Sequence, residues 1–276
     1  MLRIAGITPF STVDWPGKLA CVAFCAGCPW RCPYCQNHAL WHVDSASTDE
    51  NELYALLEQR HGLLDGVVLS GGEPLAQPGV LEVAMRVREL GFMVGLHTCG
   101  AFPGRLHELL PYLDWVGLDV KAPWDSYDAI ARPAGGVRPA EVIRPAGIGR
   151  SIGEDRPAGE VLPADVIRPS EGSASHTAGT DMAASNTGAL VRESLDVLLA
   201  SNVELEVRTT WHPRLLAVDD VARIGEELAS RGVRTWAVQA YRHVGTTGEL
   251  INETVFPSDV PAELPPLFEH FEFRRA

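Results

Sequence analysis

The sequence predicts an α/β fold: a partial (β/α)6 TIM-like barrel with a flexible insertion after the fourth strand. Three observations predict it. Short apolar runs alternate with segments of helical period, the mark of parallel βα units. Polar and glycine-bearing motifs fall just after the apolar runs, at the carboxyl ends where such sheets and barrels place their sites. About six units can be counted, fewer than the eight of a closed barrel.

The first buried strand is read at Lys18–Phe24, ending just before a cysteine-rich loop. Asp49–His61 has an apolar face of Leu53, Leu56 and Leu57 and predicts a helix. Asp65–Leu69 is a short apolar strand that runs into Ser70-Gly71-Gly72-Glu73-Pro74. Gly79–Leu90 returns to helical period, Phe92–Leu96 is the third strand, Pro103–Leu110 a helix and Trp115–Val120 the fourth strand. The rhythm then breaks. Residues 131–187 read as a low-complexity insertion, partly disordered, because its Pro, Gly, Ala and Ser leave little to bury. Within it, Ala140–Arg150 is a candidate lid. The βα pattern resumes with a helix at Ala189–Ala200, a strand at Val203–Thr209, a helix at Val218–Arg231 and a strand at Thr235–Ala240. The proline-bearing stretch 257–276 is expected to pack on the body as a loose tail anchored by Phe268, Phe271 and Phe273. The whole chain, 1–276, reads as a single domain.

A hydrophobic share of 46% over 276 residues supplies one sizeable core. The net charge of -13 lacks the basic face of a general nucleic-acid binder. No stretch approaches the roughly 18 apolar residues of a membrane span, and the opening residues carry no signal-like pattern. The expectation is a cytoplasmic protein with no nucleic-acid or membrane partner. Five of six cysteines, Cys21, Cys25, Cys28, Cys32 and Cys35, crowd into one stretch, with Cys99 apart. Disulfide frameworks spread their cysteines, so this crowding favours metal.

The chemistry centres on Cys28-x3-Cys32-x2-Cys35. Soft thiolates suit iron–sulfur clusters, and three of them can hold three irons of a [4Fe–4S] cube, leaving the fourth iron open to a small molecule. Two other readings use Cys25 as a fourth ligand: a structural zinc site, or a four-cysteine ferredoxin-like cluster whose spacing differs from the bacterial pattern. In Ser70-Gly71-Gly72-Glu73 the adjacent glycines after a strand let a backbone approach closely. Asp119 and Lys121 lie two apart at a strand end, on one face, as do Arg208 and Thr210.

These motifs resemble the radical S-adenosylmethionine superfamily, whose signature is this cysteine spacing with an aromatic residue, here Tyr34, before the last cysteine. The resemblance implies a [4Fe–4S] cluster on Cys28, Cys32 and Cys35, with S-adenosylmethionine bound at its open iron. It assigns cofactor contacts to Tyr34, Asn37, Ser70, Gly71, Gly72, Glu73, Asp119, Lys121, Arg208 and Thr210. Asp119-Val120-Lys121, Phe10–Gly17 and Thr98-Cys99-Gly100 together look most like glycyl-radical-enzyme activating proteins, in particular those of anaerobic ribonucleoside-triphosphate reductase. The implied function is reductive cleavage of S-adenosylmethionine and generation of a glycyl radical on that partner, with a flavodoxin- or ferredoxin-type electron donor. A radical reaction on a small molecule or peptide, and a non-catalytic metal-stabilised binding module, are the alternatives. One departure stands out: related enzymes often carry Asp-Thr-Asn-Gly where this chain has His97-Thr98-Cys99-Gly100, which puts a cation site at that point in doubt. His97 reads equally as a hydrogen-bonded strand-end residue.

Overall fold

The protein is described by a computed structural model covering residues 1–134, 187–242, 246, 250 and 260–275. Runs of apolar and β-branched residues closed by glycine or polar residues form the predicted strands, with ends displaced by no more than two residues: β2 (Ala20–Cys25), β4 (Gly66–Gly71), β5 (Met93–Thr98), β6 (Trp115–Asp119), β7 (Glu204–Trp211) and β8 (Thr235–Ala240). The helices between them are α1 (Glu50–Glu58), α2 (Val80–Glu89), α3 (Pro103–Leu109), α5 (Thr187–Leu199) and α6 (Val218–Ser230), with a one-turn helix α4 (Tyr127–Ile130) after β6. Asp49 starts α1 by accepting the Asn51 N–H at 2.9 Å, and Pro103 opens α3 at a position where its missing N–H costs nothing.

Three strands lie outside the sequence reading: β1 (Arg3–Ser11), the two-residue β3 (Thr48–Asp49) and β9 (His270–Arg274). The sheet order is β3-β1-β2-β4-β5-β6-β7-β8-β9. From β2 to β9 every neighbour is parallel, and β1 is antiparallel to both β2 and β3. The sheet therefore curves as a partial barrel whose ends, β3 and β9, do not pair among the described residues. The end of the tail is not loosely packed: Phe271 and Phe273 alternate along β9, which pairs with β8 from Thr235↔His270 to Gln239↔Arg274. The insertion lies outside the described residues except for 131–134 and Thr187, as do Ala140–Arg150 and the tail up to 259.

The helices bury their apolar stripes, among them Leu53, Leu57, Val83, Val87, Leu106, Val191, Leu195, Val221 and Leu228, in one large core. A second, smaller cluster is formed by Trp15, Ala20, Val22, Val68 and Trp115. Trp15, from the β1–β2 connection, stacks on Trp115 at 5.7 Å. It lies over Gly95, where a Cβ would come within 2.8 Å of its ring. Val22, Val68, Gly95 and Trp115 precede the strand ends that carry the polar motifs, so this indole plug fills the barrel beneath the site.

Candidate functional site

Strand β2 ends at Cys25, and Gly27, at φ +92°, turns the chain into the cysteine loop. The loop is tied on several sides. Gly27 N–H donates to Leu40 O at 2.7 Å, Cys28 N–H to Trp41 O at 3.2 Å, and Cys35 N–H to Cys32 O at 3.1 Å. Arg31 folds back to donate to the carbonyls of Cys28 (2.8 Å) and Trp30 (3.0 Å). Cys28 and Cys35 are half-buried and Cys32 is buried, while Cys21 and Cys25 are fully buried on β2; all are free thiols. Burial pushes the Cys28 thiol up, and the neighbouring Cys32 adds to the shift. Burial pushes Cys32 up to about 11, with the Lys121 ammonium pulling the other way. Metal binding at these sulfurs therefore has to displace protons.

Gly71 and Gly72 make a close backbone approach to this loop. Gly71 has φ +104°, and a Cβ there would lie 2.5 Å from Cys25 N; one on Gly72 would lie 2.2 Å from Gly27 O. The bonds that follow from this contact are Gly72 N–H to Cys25 O and Glu73 N–H to Gly27 O, both 2.8 Å. Asn37 adds a side-chain bond to Gly71 O at 3.1 Å. Glu73, expected among the cofactor contacts, is fully buried and hydrogen-bonded within the protein. Its carboxylate accepts from Leu75 N (3.0 Å), Thr98 Oγ1 (2.9 Å) and Cys99 N (2.7 Å), so it staples the glycine turn to the end of β5.

The third group gathers at the ends of β6 and β7. Lys121 Nζ meets Asp119 Oδ2 at 3.1 Å, and the Arg208 guanidinium meets Asp119 Oδ1 at 3.1 Å. Burial alone would raise the Asp119 carboxyl, but Lys121 and Arg208 outweigh it and leave it at about 2. Arg208, expected among the cofactor contacts, pairs with Asp119 in this structure. Register explains this, because Asp119 and Arg208 are direct neighbours on β6 and β7, and Gly117 leaves the room in which the guanidinium lies. Thr210 is half-buried one step further along that face of β7. Lys121 Nζ also sits 5.8 Å from the centre of the Tyr34 ring, linking this group to the cysteine loop. Tyr241, after β8, is buried and bonded to Thr246 Oγ1 at 2.8 Å.

His97 proves to be a strand-end clamp. Its Nε2–H donates to Asp14 O at 2.8 Å and its Nδ1 accepts from the Ser70 hydroxyl at 3.1 Å, the tautomer this pair of partners requires. It thus ties the loop that carries Trp15 to Ser70. Burial pushes the imidazole down to about 3, and the positive charge of Arg208 acts in the same direction. The unfolded chain binds this proton near the ordinary value of about 6.5, so stability is complete above that pH and falls between about 6.5 and about 3. Urea midpoints should therefore drop more between about pH 7 and about pH 4.5 for the wild type than for His97→Gln. Equal drops would contradict this assignment.

The residues fit a [4Fe–4S] cluster with S-adenosylmethionine. The loop offers three soft, free donors, and two polar groups in it, Tyr34 Oη and Trp30 Nε1, are buried without a protein partner. Both groups are thus available to a molecule bound beside the three thiols. Among the described residues no three His, Cys, Asp or Glu side chains converge on a single metal ion. The sequence reading gave no role to Trp30 or Tyr127, and it named Trp15 and Thr98 only as parts of the motifs Phe10–Gly17 and Thr98-Cys99-Gly100. Their roles depend on partners distant in the chain.

Residues 22–146 match the family model described as the radical SAM superfamily. A Methanocaldococcus jannaschii protein assigned as a glycyl-radical enzyme activating enzyme is 37% identical over 131 residues, 45% of this chain and 52% of the relative. The pyruvate formate-lyase-activating enzyme of Staphylococcus epidermidis is 33% identical over 136 residues, 43% of this chain and 53% of that enzyme. The PqqA peptide cyclase of Methylorubrum extorquens is 39% identical over 116 residues, 40% of this chain and 29% of that enzyme. The chain thus spans about half or less of the length of the curated relatives it matches. Among solved structures, native anSMEcpe with bound AdoMet and Kp18Cys peptide aligns with TM-score 0.52 at 12% identity, covering 79% of this chain and 49% of that one. Streptococcus suis SuiB bound to precursor peptide SuiA aligns with TM-score 0.51 at 11% identity, covering 90% of this chain and 46% of that one. These likenesses show the fold, a partial barrel of the same architecture. With the cysteine loop and the glycine turn inside the matched stretch, residues 22–146 of this chain are similar to the radical SAM superfamily, and part of the chain resembles the glycyl-radical-enzyme activating enzymes.

Proposed function

We propose that the protein is an activating enzyme that cleaves S-adenosylmethionine and installs a glycyl radical on a partner enzyme. The observation that carries this reading is the loop of three free thiols gripped by Gly71 and Gly72, within a stretch that matches activating enzymes. A reduced [4Fe–4S] cluster held there would supply the single electron needed to cleave S-adenosylmethionine reductively, the chemistry that would allow a hydrogen atom to be taken from a glycine Cα of the partner. Cys28, Cys32 and Cys35 would hold the irons. Gly71 and Gly72 set the distance between the cofactor-facing turn and the loop, and Tyr34 offers a free hydroxyl to the bound nucleoside. Asp119, Lys121 and Arg208 form a charged triad at the mouth of the barrel, suited to the ionic ends of S-adenosylmethionine. Hydrogen abstraction needs no acid–base pair, so positioning does the selecting.

The partner proposed is an anaerobic ribonucleoside-triphosphate reductase, in keeping with Phe10–Gly17 and the Asp119-Val120-Lys121 motif. The electron donor is a flavodoxin- or ferredoxin-type protein, and the setting cytoplasmic. No helix among the described residues is long and apolar enough to cross a membrane. A peptide substrate is the second reading, favoured by the match to PqqA peptide cyclase.

The test is anaerobic reconstitution with iron and sulfide, chemical reduction, and chromatography for 5'-deoxyadenosine. It is followed by electron paramagnetic resonance of the reductase after incubation. The expected result is 5'-deoxyadenosine together with a glycyl doublet on the reductase. A doublet only on pyruvate formate-lyase would move the partner, cyclised or cross-linked peptide would favour the second reading, and absence of 5'-deoxyadenosine would end the enzyme proposal.

A further inference from the structure

We infer that Tyr127 is a positioning residue whose hydroxyl fixes the Asp119–Lys121 turn against both flanks of the cysteine loop. Tyr127 opens the one-turn helix α4 and is 1% exposed. Its hydroxyl accepts the Lys121 N–H at 3.0 Å and donates to the Asp119 carbonyl at 3.2 Å. One hydroxyl thus bridges the two ends of a three-residue segment just where the sheet lets go. The last ladder bond there is Val120 N–H to Arg208 O at 2.8 Å. Without the bridge, two backbone groups near a buried strand end would lose their partner, which folded proteins rarely tolerate.

The turn so fixed aims the Lys121 side chain, which reaches back to Asp119 and lies over Tyr34, between Cys32 and Cys35. The ring of Tyr127 acts on the other flank. It meets Trp30, between Cys28 and Cys32, edge-on at 6.0 Å, and is stacked on Trp124 at 5.8 Å and 13°. The segment after α4 continues the grip: Arg31 N–H donates to Arg132 O and Ala134 N–H to Pro29 O, each at 2.8 Å, around a Trp30↔Pro133 bridge. α4 and the residues after it therefore hold the loop at Pro29–Arg31, while the Tyr127 hydroxyl sets where Lys121 stands relative to Tyr34.

The consequence at S-adenosylmethionine rests on the function proposed above; the geometry does not. Tyr127→Phe keeps the ring and removes both hydrogen bonds, so two readouts separate the claims. In the metal-free full chain, amide exchange at Lys121 should quicken about tenfold, with α2 and α6 amides unchanged. In the reconstituted protein, iron content should match wild type while the dissociation constant for S-adenosylmethionine rises about three- to tenfold, an indirect effect of a displaced Lys121. Tyr127→Leu, which also removes the ring contacts with Trp30, should lower iron retention as well. Unchanged Lys121 exchange in Tyr127→Phe overturns the inference, whatever happens to activity. So does faster exchange with unaltered S-adenosylmethionine affinity, which would leave Tyr127 a purely structural residue. If wild-type protein binds no S-adenosylmethionine, the functional reading fails, and the exchange measurement alone decides the role of Tyr127.

Discussion

Cys32→Ala is expected to abolish cluster assembly and to lower S-adenosylmethionine cleavage at least about 10³-fold, the loss of roughly 4 kcal/mol of barrier lowering. Cys25→Ala should leave both close to wild type. The contrast follows from where the chain places the two sulfurs. Cys32 belongs to the tied loop, beside Cys28 and within the field of Lys121. Cys25 is a strand residue, fully buried with Cys21 and Ala23 in the large core, and its backbone already carries the contact with Gly71 and Gly72. A buried free thiol in that setting behaves as a small apolar side chain. Iron and sulfide content with electron paramagnetic resonance of the reduced protein, with and without S-adenosylmethionine, decides the matter. Loss of the cluster in Cys25→Ala would instead indicate a four-thiolate site and restore the binding-module reading.

How much of this could be read in the chain depends on how local each cause is. The cysteine loop was legible as a candidate metal site because its three cysteines sit within eight residues and their spacing alone limits the chemistry. β4 to β8 were legible because they are short apolar runs that alternate with segments of helical period. β1 was not: Gly6 and Pro9 interrupt its alternation and only Ile4 and Ser11 of its nine residues are buried, so its identity comes from pairing with β2. β9 is five residues long and follows a proline-bearing stretch; its place depends on a parallel edge left open by β8. The reach of Arg274 to Glu206, a bidentate pair at 3.0 and 2.8 Å across β8, depends on that register too. The internal bonds of Glu73 were not legible because its three donors come from Leu75, Thr98 and Cys99, and two of those are a strand away. The same reason hid Tyr127, whose partners are a backbone turn before it and a tryptophan in the cysteine loop. Motif residues thus announce that a site exists. The division between groups that face the cofactor and groups that hold those groups in place is set by register and packing.

That division makes Gly72 the position where a single added carbon should do the most structural damage. A Cβ there would sit 2.2 Å from Gly27 O and 2.8 Å from Gly27 C, both backbone atoms with no rotamer to yield. The neighbouring backbone is also pinned, by Gly72 N–H to Cys25 O and Glu73 N–H to Gly27 O at 2.8 Å. Overpacking a tight interior costs about 1–3 kcal/mol when side chains can shift, and more when main chain must. Gly72→Ala is therefore expected to lower stability by at least about 3 kcal/mol. Relief would come by pushing the glycine turn off the loop, which breaks the Gly27 contact and moves Cys28 relative to Gly71. Urea unfolding of the metal-free protein measures the first effect, and iron retention after reconstitution the second. Gly104→Ala, in α3 with nothing within 4 Å of the new carbon, is the control and should be neutral or gain up to about 1 kcal/mol. Wild-type stability and iron retention in Gly72→Ala would mean that the glycine pair does not set the spacing between turn and loop. The close approach would then lose its explanatory role, and the requirement for glycine would pass to direct contact with S-adenosylmethionine.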